Sequence, residues 1–161
     1  MRIGKGKITK MISGFDGKIS FRMDCPLELI PAPGEYLLAD DPGDADSVLP
    51  VPLFRVGTTP QATLQSPYDL PPAWAPGVTL SLRGPMGKGF EIPPETRRLA
   101  LAALGESPAR LLPLARQALD HGADIALFSP APLFSGSPYH SPSLPSAIEV
   151  HPLSALPESL A

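Results

Sequence analysis

The chain has 161 residues, 43% of them hydrophobic, with a formal net charge of −3; that is room for one ordinary domain or two small ones, and too little positive charge for a nucleic-acid partner. Its single cysteine, Cys25, excludes an internal disulfide and a cysteine-ligated metal cluster within one chain. No apolar run approaches the roughly 20 residues of a membrane span, and there is no signal-peptide core, so the expectation is a soluble cytoplasmic protein.

Residues 1–90 read as β structure. Residues 3–13 and Lys18–Asp24 flank a turn at Gly14-Phe15-Asp16-Gly17 and suit a hairpin. In the second of these, Ile19, Phe21 and Met23 alternate with Lys18, Ser20, Arg22 and Asp24, the period of a half-buried strand. Further short strands are expected at Glu35–Ala39 and Leu53–Val56, and another where Val78, Leu80 and Leu82 alternate with Thr79, Ser81 and Arg83. The chain carries 23 prolines. Proline lacks a backbone donor and is kept out of central strands, so the strands must be short and joined by fixed loops. A small antiparallel barrel or sandwich satisfies this pattern. The acidic segment with Asp40, Asp41, Asp44 and Asp46 lacks the spacing of a calcium loop and reads as solvated. Trp74, among Pro71, Pro72 and Pro76, reads as a packing anchor.

The pattern changes after Phe90. Residues 91–96 read as a linker, and Leu99–Leu104 is a continuous apolar run of the kind that forms a strand buried on both faces. Ser107-Pro108 offers a helix cap followed by proline at the first helical position. Leu111, Leu112, Ala115, Ala118 and Leu119 make one apolar stripe, Pro113 implies a kink or a later start, and Gly122 ends the helix. Strands at Ile125–Phe128 and Ile148–Val150 would complete a parallel sheet through a βαβ unit. The stretch 129–146, rich in proline and serine, is expected to connect them irregularly.

A β unit, then Gly84-Pro85-Met86-Gly87-Lys88-Gly89-Phe90, then a buried strand entering a βαβ unit resembles the ferredoxin-reductase-like flavoprotein superfamily. Within it, the chain is most similar to the electron-transfer subunit of dihydroorotate dehydrogenase, in a degenerate and shortened form. Pro33-Gly34-Glu35-Tyr36 resembles that barrel's third strand, and Leu111-Leu112-Pro113-Leu114-Ala115 resembles the helix after its nucleotide loop. The resemblance implies a β-barrel over 1–90, like a flavin domain, followed by a small, truncated Rossmann-like α/β parallel-sheet domain over 97–161.

The family binds flavin with an arginine on a barrel strand, whose guanidinium pairs with phosphate oxygens. The matching stretch here is Pro52-Leu53-Phe54-Arg55-Val56-Gly57-Thr58. The resemblance therefore implies Arg55, Thr58, Gly84 and Gly87 as cofactor-binding residues and FAD as the cofactor, although the family's Arg-Pro-x-Ser order is missing. At the nucleotide loop, Ala102-Ala103-Leu104-Gly105-Glu106-Ser107-Pro108 replaces most of the family's glycines, and Glu106 would repel a phosphate; this argues against NAD(P). The C-terminal cysteines of the dihydroorotate relatives have no counterpart, so no iron–sulfur cluster is expected.

No catalytic constellation emerges. Ser135-Gly136-Ser137 and Ser107 lack a nucleophile elbow, His140 reads as an exposed loop histidine, Cys25 as a small core residue, and His121, His140 and His151 do not have the spacing of a metal site. Two functions follow. One is a reductase-like electron-transfer module acting with a partner oxidoreductase. The other is a noncatalytic scaffold that kept the fold, lost its cofactors and serves as a homo-oligomer or partner subunit.

Overall fold

The computed structural model describes residues 1–14, 18–43, 49–57, 62–104, 107–130 and 147–156. Six strands, β1 (Arg2–Ser13), β2 (Ile19–Asp24), β3 (Tyr36–Asp40), β4 (Val51–Arg55), β5 (Thr63–Gln65) and β6 (Thr79–Met86), close into an antiparallel barrel in the order β1-β2-β5-β4-β3-β6. Closure removes both sheet edges, which suits strands this short. Ile8, Phe21, Leu37, Leu53, Leu64, Leu80 and Leu82 fill the barrel, and none retains accessible surface. Trp74 closes one side with its ring edge-on to Phe21, 6.0 Å between centroids, so it is the packing anchor its proline-rich setting implies.

Two strands depart from simple alternation. In β2, Ile19 is exposed while Ser20 is buried; the Ser20 hydroxyl donates to the Ile12 carbonyl at 3.4 Å. The strand enters at the barrel's rim, so its first apolar residue falls outside the core. At the other end of the barrel, β6 does not stop where the glycines begin. It continues through Gly84, Pro85 and Met86, pairing Gly84 with Arg2 and Met86 with Tyr36. Between Leu38↔Arg83 and Tyr36↔Met86 it carries one extra residue, a bulge that accommodates the missing donor of Pro85. Gly84 is required there. Its φ is +146°, and a Cβ would lie 2.8 Å from Leu37 Cδ2. The turn proper therefore begins at Gly87.

The second unit is a three-stranded sheet in the order β7-β8-β9, with β7 (Arg98–Ala102), β8 (Asp124–Ser129) and β9 (Ile148–Pro152) all parallel. Ser107 caps a 3-10 turn at Pro108–Leu111, and α1 (Leu112–Asp120) follows with Pro113 in its first turn, so the helix starts late rather than kinking. Gly122, at φ +79°, ends it. Leu101, Ile125, Leu127 and Ile148 pack with Leu112, Leu114, Ala115 and Ala118 in a second core.

Strand β7 is not buried on both faces. Ala100 is exposed and Leu99 half-buried, while Leu101 is enclosed. Among the described residues, α1 covers one side of this sheet, and the 3-10 turn at Leu153–Ala155 also meets β8. The other side carries a depression of about 640 Å³ bordered by Ala100, Ala126 and Phe128. Here His151 stacks on Phe128 at 5.2 Å between ring centroids, and its Nε2 lies 3.4 Å from Glu149. Most of the expected irregular connection, residues 131–146, lies outside the described residues.

Candidate functional site

The two units meet at the ends of β4 and the 3-10 turn. Leu53 points into the barrel, so alternation turns Phe54 outward toward the second unit and Arg55 back toward the barrel's mouth. The Phe54 ring lies beside Tyr36 on the paired strand, 5.7 Å between centroids. From the other side, the Ser107 hydroxyl accepts the Ala109 N–H at 3.2 Å and holds the turn. The Gly57 N–H donates to the Ala109 carbonyl at 3.4 Å, tying turn to barrel. That connection brings Arg110 across the junction, its guanidinium carbon 3.6 Å from the centre of the Phe54 ring.

The resulting groove encloses about 300 Å³ and is walled by Phe54, Arg55, Phe90, Ala103, Ser107 and Arg110. It is also lined by Gly34, at φ +89°, where a Cβ would meet the Phe90 ring at 2.7 Å; glycine lets Phe90 close down on the turn before β3. A broader depression of about 720 Å³ adjoins it, and Arg55, Ala32 and Glu35 border both.

The charged groups among the described residues of its wall are the guanidinium groups of Arg55 and Arg110 and the carboxylate of Glu35. Arg55 is half-buried, and burial lowers its pKa from the ordinary value, yet a guanidinium remains protonated. Partial desolvation also strengthens its attraction for an anion. Among the described residues of the wall the one carboxylate, Glu35, accepts the Ala32 N–H at 3.0 Å. Two arginines, two aromatic rings and a capped turn suit a planar group that carries a phosphate. The volume sits at the lower bound of small-molecule sites, so an extended ligand would run on past Arg55 into the adjoining depression.

Of the four residues the resemblance implied, Arg55 lies in the groove. Gly84 borders the adjoining depression with Arg55. Gly87 lines neither; it packs where a Cβ would approach the Gly34 carbonyl and the Tyr36 ring. Thr58 lies outside the described residues, as do Glu106, His140 and Ser135-Gly136-Ser137. Arg110, Phe54 and Phe90 were not singled out as site residues from sequence. Ser107-Pro108 did signal the turn that carries Arg110, but nothing local connects that turn to Phe54.

In the acidic segment, Asp40 pairs with Arg83 at 3.3 Å and the Asp41 carboxylate accepts the Gly43 N–H at 2.8 Å; Asp44 and Asp46 lie outside the described residues. Among the described residues, no group of three or more His, Cys, Asp or Glu side chains is placed to hold a metal. No described helix is long and apolar enough to cross a membrane. Cys25 is half-buried against the barrel core, and burial, aided by Asp24 and Glu28, raises its thiol pKa, the opposite of a reactive cysteine.

No protein-family model and no curated protein sequence matches the chain. Solved structures do. The Amycolatopsis cytochrome P450 reductase GcoB superposes with a TM-score of 0.57 at 17% identity, covering 78% of this chain and 43% of that one. The ferredoxin reductase in carbazole 1,9a-dioxygenase gives 0.60 at 15% identity, over 92% and 48%. A ferredoxin NADP+ reductase from Neisseria gonorrhoeae, with bound FAD and NADP, gives 0.54 at 15% identity, over 80% and 57%. At these identities the likeness is one of fold: the chain has the ferredoxin-reductase-like fold, barrel first and Rossmann-like unit second. It spans roughly half the length of these neighbours.

Proposed function

We propose that this chain is a reductase-like electron-transfer module that binds a flavin, FAD or FMN, at the junction groove and works with a partner oxidoreductase. The observation that carries this reading is the convergence of Arg55 from the barrel and Arg110 from the second unit on one aromatic-walled groove. Arg55 would hold a phosphate by paired, charge-assisted hydrogen bonds. Phe90 and Phe54 would flank the ring and exclude water from one side of it. Flavin, when bound, supplies the ability to accept and pass on electrons. The chain's own contribution is binding, orientation and the field of two guanidinium groups.

In this reading residues 1–90 and 97–161 act as two domains, and the flavin sits between them. NAD(P) is not taken up in this reading, because Ala102-Ala103-Leu104 stand where the family has loop glycines and Glu106 adds a carboxylate there. Electrons would then be exchanged through the partner. The finer likeness to the electron-transfer subunit of dihydroorotate dehydrogenase rests on Pro33–Tyr36 and Leu111–Ala115. Absorbance between 350 and 500 nm, at about the flavin maxima, tests the reading: the purified protein, or the apoprotein titrated with FAD and with FMN, should acquire a bound-flavin spectrum. Arg55→Ala should weaken that uptake at least about tenfold, the worth of a lost charge-assisted hydrogen bond.

A specific observation favours a second reading. The Arg110 guanidinium already rests on the Phe54 ring, and the sheet's second face is open among the described residues. A scaffold that lost its cofactor and associates through that face, with itself or with a partner subunit, would show both features. Failure of wild-type protein to take up either flavin, together with a stable oligomer by light scattering, would select the scaffold.

A further inference from the structure

Strand β1 carries its lysines on the outside of the barrel. Lys5 and Lys7 are exposed and alternate with Gly6 and Ile8, which are buried. Strict alternation would then send Lys10 inward. Instead the register against β2 slips between Ile8↔Met23 and Lys10↔Arg22, leaving Thr9 as an extra residue. The Thr9 hydroxyl donates to the Arg22 carbonyl at 3.2 Å and holds this bulge. Met23 is buried in the core, so Arg22 and its partner Lys10 both face out. The bulge thus gathers Lys5, Lys7, Lys10 and Arg22 on one exposed wall, with Asp24 opposite Lys7. None of the four is joined to a described carboxylate by an ion pair. The fold gains nothing from this placement. Like charges directly opposite, as at Lys10 and Arg22, destabilise a sheet. Lysines can guard an open sheet edge, but β1 is paired on both sides. Solubility would be served by scattered charge, yet residues 1–24 hold six of the chain's 13 Lys and Arg and two of its 16 Asp and Glu.

We propose that the outer wall of β1 and β2 is a docking surface for the acidic face of a partner protein. It is independent of the flavin reading. Counted either way round the barrel, β1 lies three strands from β4, which carries Phe54 and Arg55, so wall and groove occupy opposite sides. Asp24 decides the class of partner. A protein can meet it with a lysine or arginine set among its carboxylates, whereas the phosphates of a nucleic acid repel it. The neighbours of Lys5 and Lys7 on β6 are Ser81 and Thr79, so this part of the wall has no large apolar side chain to bury in a bilayer.

The test measures binding of a labelled acidic peptide, repeating Glu-Glu-Glu-Lys, by fluorescence anisotropy to the wild type, the double variant Lys7→Gln/Lys10→Gln, and Asp24→Asn. The wild type should bind it at least about tenfold more tightly at about 20 mM salt than at about 200 mM. The double variant should lose about fivefold or more at the lower salt. Its melting temperature should be unchanged or higher, because Lys10→Gln removes the repulsion with Arg22. Asp24→Asn should weaken the peptide and tighten a DNA duplex of similar charge. No binding at low salt, binding indifferent to salt, or equal binding by the double variant would overturn the proposal. A lowered melting temperature in the double variant would give the lysines a structural role instead. Tighter binding of the peptide by Asp24→Asn would remove a protein as the partner. So would wild-type preference for the duplex, or for phosphatidylserine vesicles in co-sedimentation, over the peptide.

Discussion

The barrel and the sheet that follows it solve the same problem to different extents. Both are built from short strands, yet the barrel pairs every strand on both sides and encloses its core residues from all directions. Among the described residues, the three-stranded sheet has two edge strands and one covering α-helix. Closure lets a short strand such as Thr63–Gln65 contribute fully, because its neighbours β2 and β4 supply the rest of the wall. The open sheet has no such support, and its stability depends on α1 and on whatever meets the face of Ala100 and Phe128. The lesson is that one chain can join a self-sufficient unit to one that leaves surface for others.

The sharpest way to break this comparison is to truncate an aromatic residue in each unit. Phe21→Ala, in the barrel, should cost about 3–5 kcal/mol, seen as a large drop in the urea midpoint by circular dichroism. Phe128→Ala, on the open face, should cost about 1 kcal/mol or less. Equal costs would mean that the face is covered in solution. Ser107→Ala tests the junction: loss of the cap should cost about 1 kcal/mol of thermal stability and loosen the turn that carries Arg110, read as faster amide exchange at Ala109.

The smallest effect concerns Cys25, which packs against the barrel core. Its folded pKa is raised by burial, so the folded state retains the thiol proton longer than the unfolded state does. Its stabilising contribution is complete below the unfolded thiol pKa of about 8.5 and is lost as pH rises through the folded value. The stability difference between wild type and Cys25→Ala should therefore decline above that pH, and alkylation by iodoacetamide should need a more alkaline pH than it does for a free thiol.

How far the sequence revealed these features depended on the distance between the residues involved. Alternation at Phe21 and Met23, and at Leu80 and Leu82, marked strands directly, because burial on one face writes itself into neighbouring positions. The Ser107-Pro108 cap and the Gly122 stop were equally local. Strand β5 was not singled out, since three residues are too few to show a period. The apolar run at Leu99–Leu104 suggested burial on both faces, but an alanine at position 100 is also small enough to be left exposed. The groove was the least legible part. Arg55 came from a family likeness, while Arg110 and Phe54 meet only because the Gly57–Ala109 hydrogen bond joins segments far apart in sequence.

The pairing of Arg2 with Gly84 has a mechanical consequence. Strand β1 enters the barrel at the end where β6 leaves it for the second unit. Tension between those two points would not shear the β1–β6 ladder as a block. It would unzip it rung by rung, from Gly84 toward Lys7 and Thr79, so the tightly packed barrel would yield at low force when pulled through its own link to the sheet.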